Sequence, residues 1–115
     1  MYHANYLKYF ERARTERLRS LGFELNDLQN REGVLFVVRS IQVEYLKPAY
    51  FNDALWVTAE IEQIKAASLN FKQFILRDPD DILCEALVRV VCLWADAFRP
   101  AAIPNHLLHS LKHDA

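Results

Sequence analysis

Tyr2-His3-Ala4-Asn5-Tyr6-Leu7-Lys8-Tyr9-Phe10-Glu11-Arg12-Ala13-Arg14, running on to Leu21-Gly22, reads as one amphipathic helix. At about 100° per residue, Tyr6, Leu7, Tyr9, Phe10, Ala13 and Leu21 fall on one side. Lys8, Glu11, Arg12, Thr15, Glu16 and Arg19 fall on the other. Gly22 ends the helix, because glycine takes up the left-handed conformation without strain. A stripe with two tyrosines and a phenylalanine needs a broad surface to cover it. Two arginines interrupt the pattern: Arg17 near the middle of the apolar arc and Arg14 near its edge. Arg17 has two readings. Its stem lies along apolar neighbours with its head in water, near the C-terminal dipole; or it is a paired or phosphate-facing arginine.

The rest of the chain supplies the covering surface as β-structure. Phe23 to Arg31 is polar with scattered apolar residues and reads as a short helix or turn. Val34 to Leu46 is β-branched and aromatic and predicts a long strand A, closed by Pro48. Ala54 to Lys65 predicts strand B: Leu55, Val57, Ala59 and Ile61 alternate with Trp56, Thr58, Glu60 and Glu62. Ser68 to Arg77 predicts strand C, and Asp78-Pro79-Asp80-Asp81 a turn. Ile82 to Ala95 predicts strand D, apolar on both parities and therefore an interior strand covered on both sides. Asn105 to Lys112 predicts a C-terminal helix with Asn105 as its cap. The expected organisation is one α+β domain over residues 1–115.

A chain of 115 residues is long enough for one core. With 52% hydrophobic and 25% charged residues it has the balance of a soluble globular protein. The net charge of −1 makes no electrostatic case for a nucleic-acid partner. Only two glycines are present, and no phosphate-binding glycine loop. No apolar run is long enough to cross a bilayer, and no signal-peptide pattern opens the chain, so a cytoplasmic location is expected. Cys84 and Cys92 share one strand about 26 Å apart. A disulfide needs Cα atoms within about 7 Å, so they are expected to be free, buried thiols.

The helix, with Tyr2-His3-Ala4-Asn5-Tyr6 followed by Tyr9-Phe10-Glu11-Arg12-Ala13-Arg14-Thr15-Glu16, resembles that of the hotdog-fold acyl-CoA thioesterases. The nearest group is the tol-pal-associated YbgC-like proteins, relatives of 4-hydroxybenzoyl-CoA thioesterase. Phe36-Val37-Val38-Arg39, Val43-Glu44-Tyr45, Pro48-Ala49, Ser68-Leu69-Asn70-Phe71 and Arg99-Pro100 continue the likeness over nearly the whole chain. The resemblance implies an antiparallel sheet wrapped around a central helix and a homodimer or homotetramer. It also implies hydrolysis of a small or medium acyl-CoA to free acid and CoA, without a cofactor. The alternative is a non-catalytic acyl-CoA-binding or scaffold protein. Family members begin with a further strand and a loop of the type Asp-x-Asp-x-x-Gly-x-Val ahead of Tyr-His. That first strand and the aspartate treated as catalytic are missing here, so the chain is expected to be weakly active or inactive. A late-assigned start, a cut chain and a naturally short protein all fit.

Thioester hydrolysis needs a group to activate water and a donor for the carbonyl oxygen. The resemblance turns the helix N-terminus, with its free N–H groups, towards the thioester. His3 is the remaining residue of the family's catalytic loop that moves a proton near neutral pH, and is the catalytic candidate. Tyr2, Tyr6, Lys65 and Ser68 are the substrate-binding candidates, the last two by likeness to a region near the coenzyme A phosphates. Tyr6 and Phe10 line an acyl pocket or pack in the core. Glu11 is a rival base, but lies about 12 Å along the helix from His3. The ordinary role for Glu11 is pairing with Arg14 or Thr15 on the polar face. His106, His109 and His113 are spaced i, i+3, i+7 with no acidic or cysteine partner between them, which reads as a solvated helix end; no metal site is expected.

Overall fold

The computed structural model describes residues 3–50, 52–78 and 80–114; the side chains of residues 3–5, 113 and 114 lie outside that description. The long helix, α1, runs His3–Ser20. Gly22 follows at φ 89°, and the Gly22 and Phe23 N–H groups bond back to the carbonyls of Arg19 and Leu18. This is the left-handed stop expected of glycine. The ambiguous stretch after it is helical. A short turn, α2 (Leu25–Asp27), runs into a π-helical turn (Leu28–Glu32), which Gly33 ends at φ 70°.

Five strands form one antiparallel sheet: β1 (Val34–Tyr45), β2 (Trp56–Val57), β3 (Glu60–Ile64), β4 (Ser68–Asp78) and β5 (Asp81–Trp94). Their order is β1-β5-β4-β2, with β3 also on β4. A last helix, α3 (Asn105–Asp114), takes Asn105 as its first helical residue rather than as the cap expected, and runs two residues past Lys112. Antiparallel partners share a face, so the register assigns the faces. Phe36, Val38, Ile41, Val43 and Tyr45 of β1 lie level with Cys92, Val90, Val88, Ala86 and Cys84 of β5. Leu69, Phe71, Gln73 and Ile75 of β4 continue that face. Tyr6, Phe10 and Leu18 of α1 join it in one core with Leu107 and Leu111 of α3. This is the hotdog arrangement of an antiparallel sheet around a long helix.

Three further expectations change. Strand B is interrupted: β2 and β3 are separated by Thr58 and Ala59. The Thr58 N–H bonds the Phe74 carbonyl and its hydroxyl accepts the Phe74 N–H, while its own carbonyl turns to the Gln73 side chain. Strand D is interior to the sheet, but its second face is covered only in part, with Val91 and Leu93 half-buried. Leu87 on the opposite face is 45% exposed and Arg89 is exposed too. Leu7 was assigned to the apolar stripe, yet is 44% exposed. Tyr6 and Phe10 point into the sheet, and Leu7, about 100° around the helix from Tyr6, clears it.

The two cysteines are free and buried, as their spacing requires. Burial pushes both thiols up to about 11.

Candidate functional site

The N-terminal end of α1 lies over one end of the sheet. Tyr6 stacks on Tyr45, the last residue of β1, with ring centroids 5.8 Å apart. Tyr45 is level with Cys84, and Cys84 with Ile75. Tyr6 is buried, and its hydroxyl takes a bond from the Ala49 backbone. Desolvation raises its pKa above 10.0, the neighbouring Cys84 and aromatic rings adding to the effect. The first turn of α1 carries no acidic side chain, so its N–H groups face no carboxylate of their own. His3 opens the helix, but its side chain, and Tyr2 altogether, lie outside the described residues.

Beside this end runs the segment from Leu46 to Asp53, held by a charged cluster. Arg77 Nε bonds Asp81 at 2.8 Å and Nη1 bonds Asp53 at 2.9 Å. The guanidinium lies 5.3 Å from the Tyr50 ring centroid. Lys47 Nζ reaches Asp81 at 2.7 Å, and the Tyr50 N–H donates to Asp53 at 2.6 Å. Asp53 is held below its usual pKa chiefly by the Tyr50 N–H and also by Arg77. Lys47, then Arg77, does the same for Asp81. Because Ala49 bonds Tyr6, this cluster fixes the wall next to the first turns of α1.

A groove of about 620 Å³ runs along the other flank of α1. Tyr9, Ala13 and Arg17 form one side and Leu55, Val57 and Ala59 the other, with Asp53 at one end. It follows β2 and the residues on either side of it; among the described residues β2 and β3 pair with β4 alone. Arg17, half-buried, thus lines a cleft. Arg14 turns the opposite way and donates to the buried Gln73 at 2.9 Å. Burial lowers its pKa, partly offset by the charge of Glu11. Glu11 is exposed, its carbonyl accepting from the Thr15 hydroxyl.

The remaining candidates lie elsewhere. Lys65 and Ser68 close the β3–β4 hairpin, the Lys65 N–H bonding the Ser68 carbonyl at 2.9 Å. The Lys65 side chain is exposed and Ser68 is buried. Ser68 and Ile75, the level of Tyr6, are seven positions apart on β4, which is about 23 Å of strand. Within one chain, Lys65 and Ser68 are therefore at the far end of the sheet from His3. Phe10 is wholly buried core. His106 packs against Phe23 and reaches Glu32 at 3.6 Å. Among the described residues no three His, Cys, Asp or Glu side chains are grouped to hold a metal ion.

Sequence reading missed Tyr45, Gln73 and the Arg77 cluster as parts of this end of the molecule. Gln73 had a signal: it is a polar residue at an inward parity between Phe71 and Ile75. The Arg77 cluster had none, since its members come from three separate segments.

The chain resembles known proteins over nearly all its length. It is 35% identical to the acyl-CoA thioesterase YbgC of Haemophilus influenzae, over 98% of this chain and 82% of that protein. It is 40% identical to the acyl-CoA thioester hydrolase YbgC of Escherichia coli O6:H1, over 97% of this chain and 83% of that protein. The crystal structure of a probable thioesterase from Bartonella henselae superposes with a TM-score of 0.83 at 32% identity, covering 90% of this chain and 85% of that one. A sequence model described as the thioesterase superfamily matches residues 1–84, which include α1 and β1 to β4. With a long helix lying across an antiparallel sheet and an acid-free first turn at its open end, the chain belongs to the thioesterase superfamily.

Proposed function

We propose that this protein is an acyl-CoA thioesterase: water attacks the carbonyl of a small or medium acyl-CoA, the C–S bond breaks, and free acid and CoA leave. One observation carries the site. The acid-free N-terminal turn of α1 opens beside the Tyr6–Tyr45 stack, where free N–H groups and the helix dipole favour a developing oxyanion. His3 opens that turn and is the group proposed to move the proton. Tyr6 stacks beside it, and Tyr2 and Tyr6 are the proposed substrate contacts. No helix among the described residues is long and apolar enough to cross a membrane, and we place the reaction in the cytoplasm.

The working unit in this reading is a homodimer, or a homotetramer built from two. Among the described residues β1 pairs on one side only, and Val38 and Ile41 stay exposed on the face that carries the helix. Pairing β1 with a second β1 by a two-fold axis would bury them. Antiparallel pairing would also bring the partner's Lys65 and Ser68 to the end of the joined sheet where α1 begins, within reach of an extended coenzyme A.

Hydrolysis of acyl-CoA esters of increasing chain length, followed as free thiol, tests the reading. His3→Gln should slow turnover by about 10²-fold or more if His3 is the base. A protein with the Asp-containing loop ahead of Met1 should be faster by a similar factor. Tight acyl-CoA binding with no turnover in either form would favour the scaffold alternative. A monomer by light scattering across micromolar concentrations would count against the dimer.

A further inference from the structure

The contact between α1 and the sheet is mostly apolar: Tyr6, Phe10 and Leu18 lie in the same core as Leu69, Phe71 and Ile75. Apolar burial is not directional. It holds a helix down without fixing its rotation or its position along the axis. Besides the Tyr6 hydroxyl, which the Ala49 N–H meets, Gln73 bonds α1 directionally. Gln73 occupies an inward position of β4, 0% exposed, where alternation calls for an apolar residue. Its Oε1 accepts from Arg14 Nη1 at 2.9 Å. Its Nε2 donates to the Phe10 carbonyl at 3.0 Å and the Thr58 carbonyl at 3.1 Å. Both amide protons and the oxygen are used, as burial of an amide demands.

We infer that Gln73 is a positioning residue for the first turn of α1. It reads the helix at two points one turn apart, the Phe10 backbone and the Arg14 side chain, and ties both to β4 and to the link between β2 and β3. Rotation or sliding of α1 breaks both contacts together. The choice of residue types supports this. Arg14 is desolvated against a neutral amide, a costly pairing that an apolar pair of similar shape would replace at little loss of stability. What the polar pair adds is a defined register. The helix is stiff, so a shift at Phe10 reaches His3, about 10 Å away along the axis. Misplacement by about 1 Å costs a catalyst roughly 10²-fold. The inference rests on the first turn of α1 being the thioester-facing end.

Three variants test it: Gln73→Met, Gln73→Glu, and Arg14→Met with Gln73→Met. Amide exchange is measured along α1 from Tyr6 to Arg14 and along β5 from Val88 to Cys92, with melting temperature, kcat and KM for a short-chain acyl-CoA. Gln73→Met should keep β5 protected, speed exchange in α1 by about tenfold or more, and lower kcat by about 10–100-fold with KM nearly unchanged. Gln73→Glu still accepts from Arg14 but sets a carboxylate against two carbonyl oxygens, and should be equally slow. The double variant should recover melting temperature but not kcat, which separates position from stability. Unchanged exchange in α1, unchanged kcat alongside a lowered melting temperature, or full kcat in the double variant would each overturn the inference. If neither the unmodified protein nor the form carrying the Asp-containing loop shows turnover, the enzymatic reading fails separately, and exchange alone decides whether Gln73 sets the helix.

Discussion

Tyr6 of α1 and Tyr45 of β1 stack with ring centroids 5.8 Å apart and planes at 27°. The pair joins the start of the helix to the end of the edge strand. Its two members carry different burdens, because Tyr6 is 2% exposed and Tyr45 41%. Tyr6→Ala should cost about 3–5 kcal/mol in urea denaturation, as expected for a buried ring. Tyr6→Phe should cost about 1 kcal/mol, through the lost bond to Ala49. Tyr45→Ala should cost about 0.5–1.5 kcal/mol. Equal losses at the two positions would show that the stack is not seated as described.

Cys84 and Cys92 are wholly buried and their thiols are pushed up to about 11. At pH 8 only about 10⁻³ of each would be thiolate, even if a reagent could reach it. An aromatic disulfide reagent should therefore titrate almost no thiol in the native protein and two per chain in denaturant. Rapid native labelling would place one of them at the surface.

The Arg77 cluster has a signed pH dependence. Asp53 and Asp81 are both held below the ordinary value of 3.8. A depressed carboxyl stabilises the fold fully above its unfolded pKa, and that contribution is lost as pH falls through the lower folded value. Stability should thus decline below about pH 4, and Asp81→Asn should flatten the decline while lowering stability at pH 7. An acid limb as steep in the variant as in the parent would remove Asp81 from the account.

The free edge of β2 and β3 makes a residue-level prediction. Thr58 N–H bonds across to Phe74, so the amides of Val57 and Ala59, which alternate with it, point away from β4. In a monomeric sample these two should exchange much faster than Thr58. Protection at all three would mean that a further strand or a second chain covers the edge.

Much of this arrangement was legible in the sequence, and the exceptions share a cause. β1 ends one residue from its expected limit, and β4 and β5 fall within one residue at each end, because alternating burial writes itself into residue type. The break in strand B could not be read this way. Thr58 and Ala59 are ordinary strand residues, and what diverts the Thr58 carbonyl is Gln73, 15 positions away. The two-sided covering expected of β5 is met only in part for a related reason: apolar residues such as Leu87 tell of a strand's interior place, not of what lies over it. Of the site, the helix was visible and its surroundings were not. Lys65 and Ser68, expected near the coenzyme A phosphates by likeness, lie within one chain at the opposite end of the sheet from Tyr6, and that placement depends on strand direction rather than residue type.

The strand order has a consequence for the chain as it is made. Among the described residues β1 pairs only with β5, the last strand to be synthesised, while β4 and β5 are joined by a short turn. A nascent chain released as far as Asp78 has α1 and β1 complete, yet β1 has no ladder to enter. Its apolar residues must wait, a window in which a holding chaperone or a neighbouring nascent chain competes for them. The β4–β5 hairpin closes locally and is expected to form first, with β1 docking onto it afterwards. Arrested chains ending before Asp81 should therefore leave Phe36 to Val43 open to proteolysis, and chains extending past Trp94 should protect them.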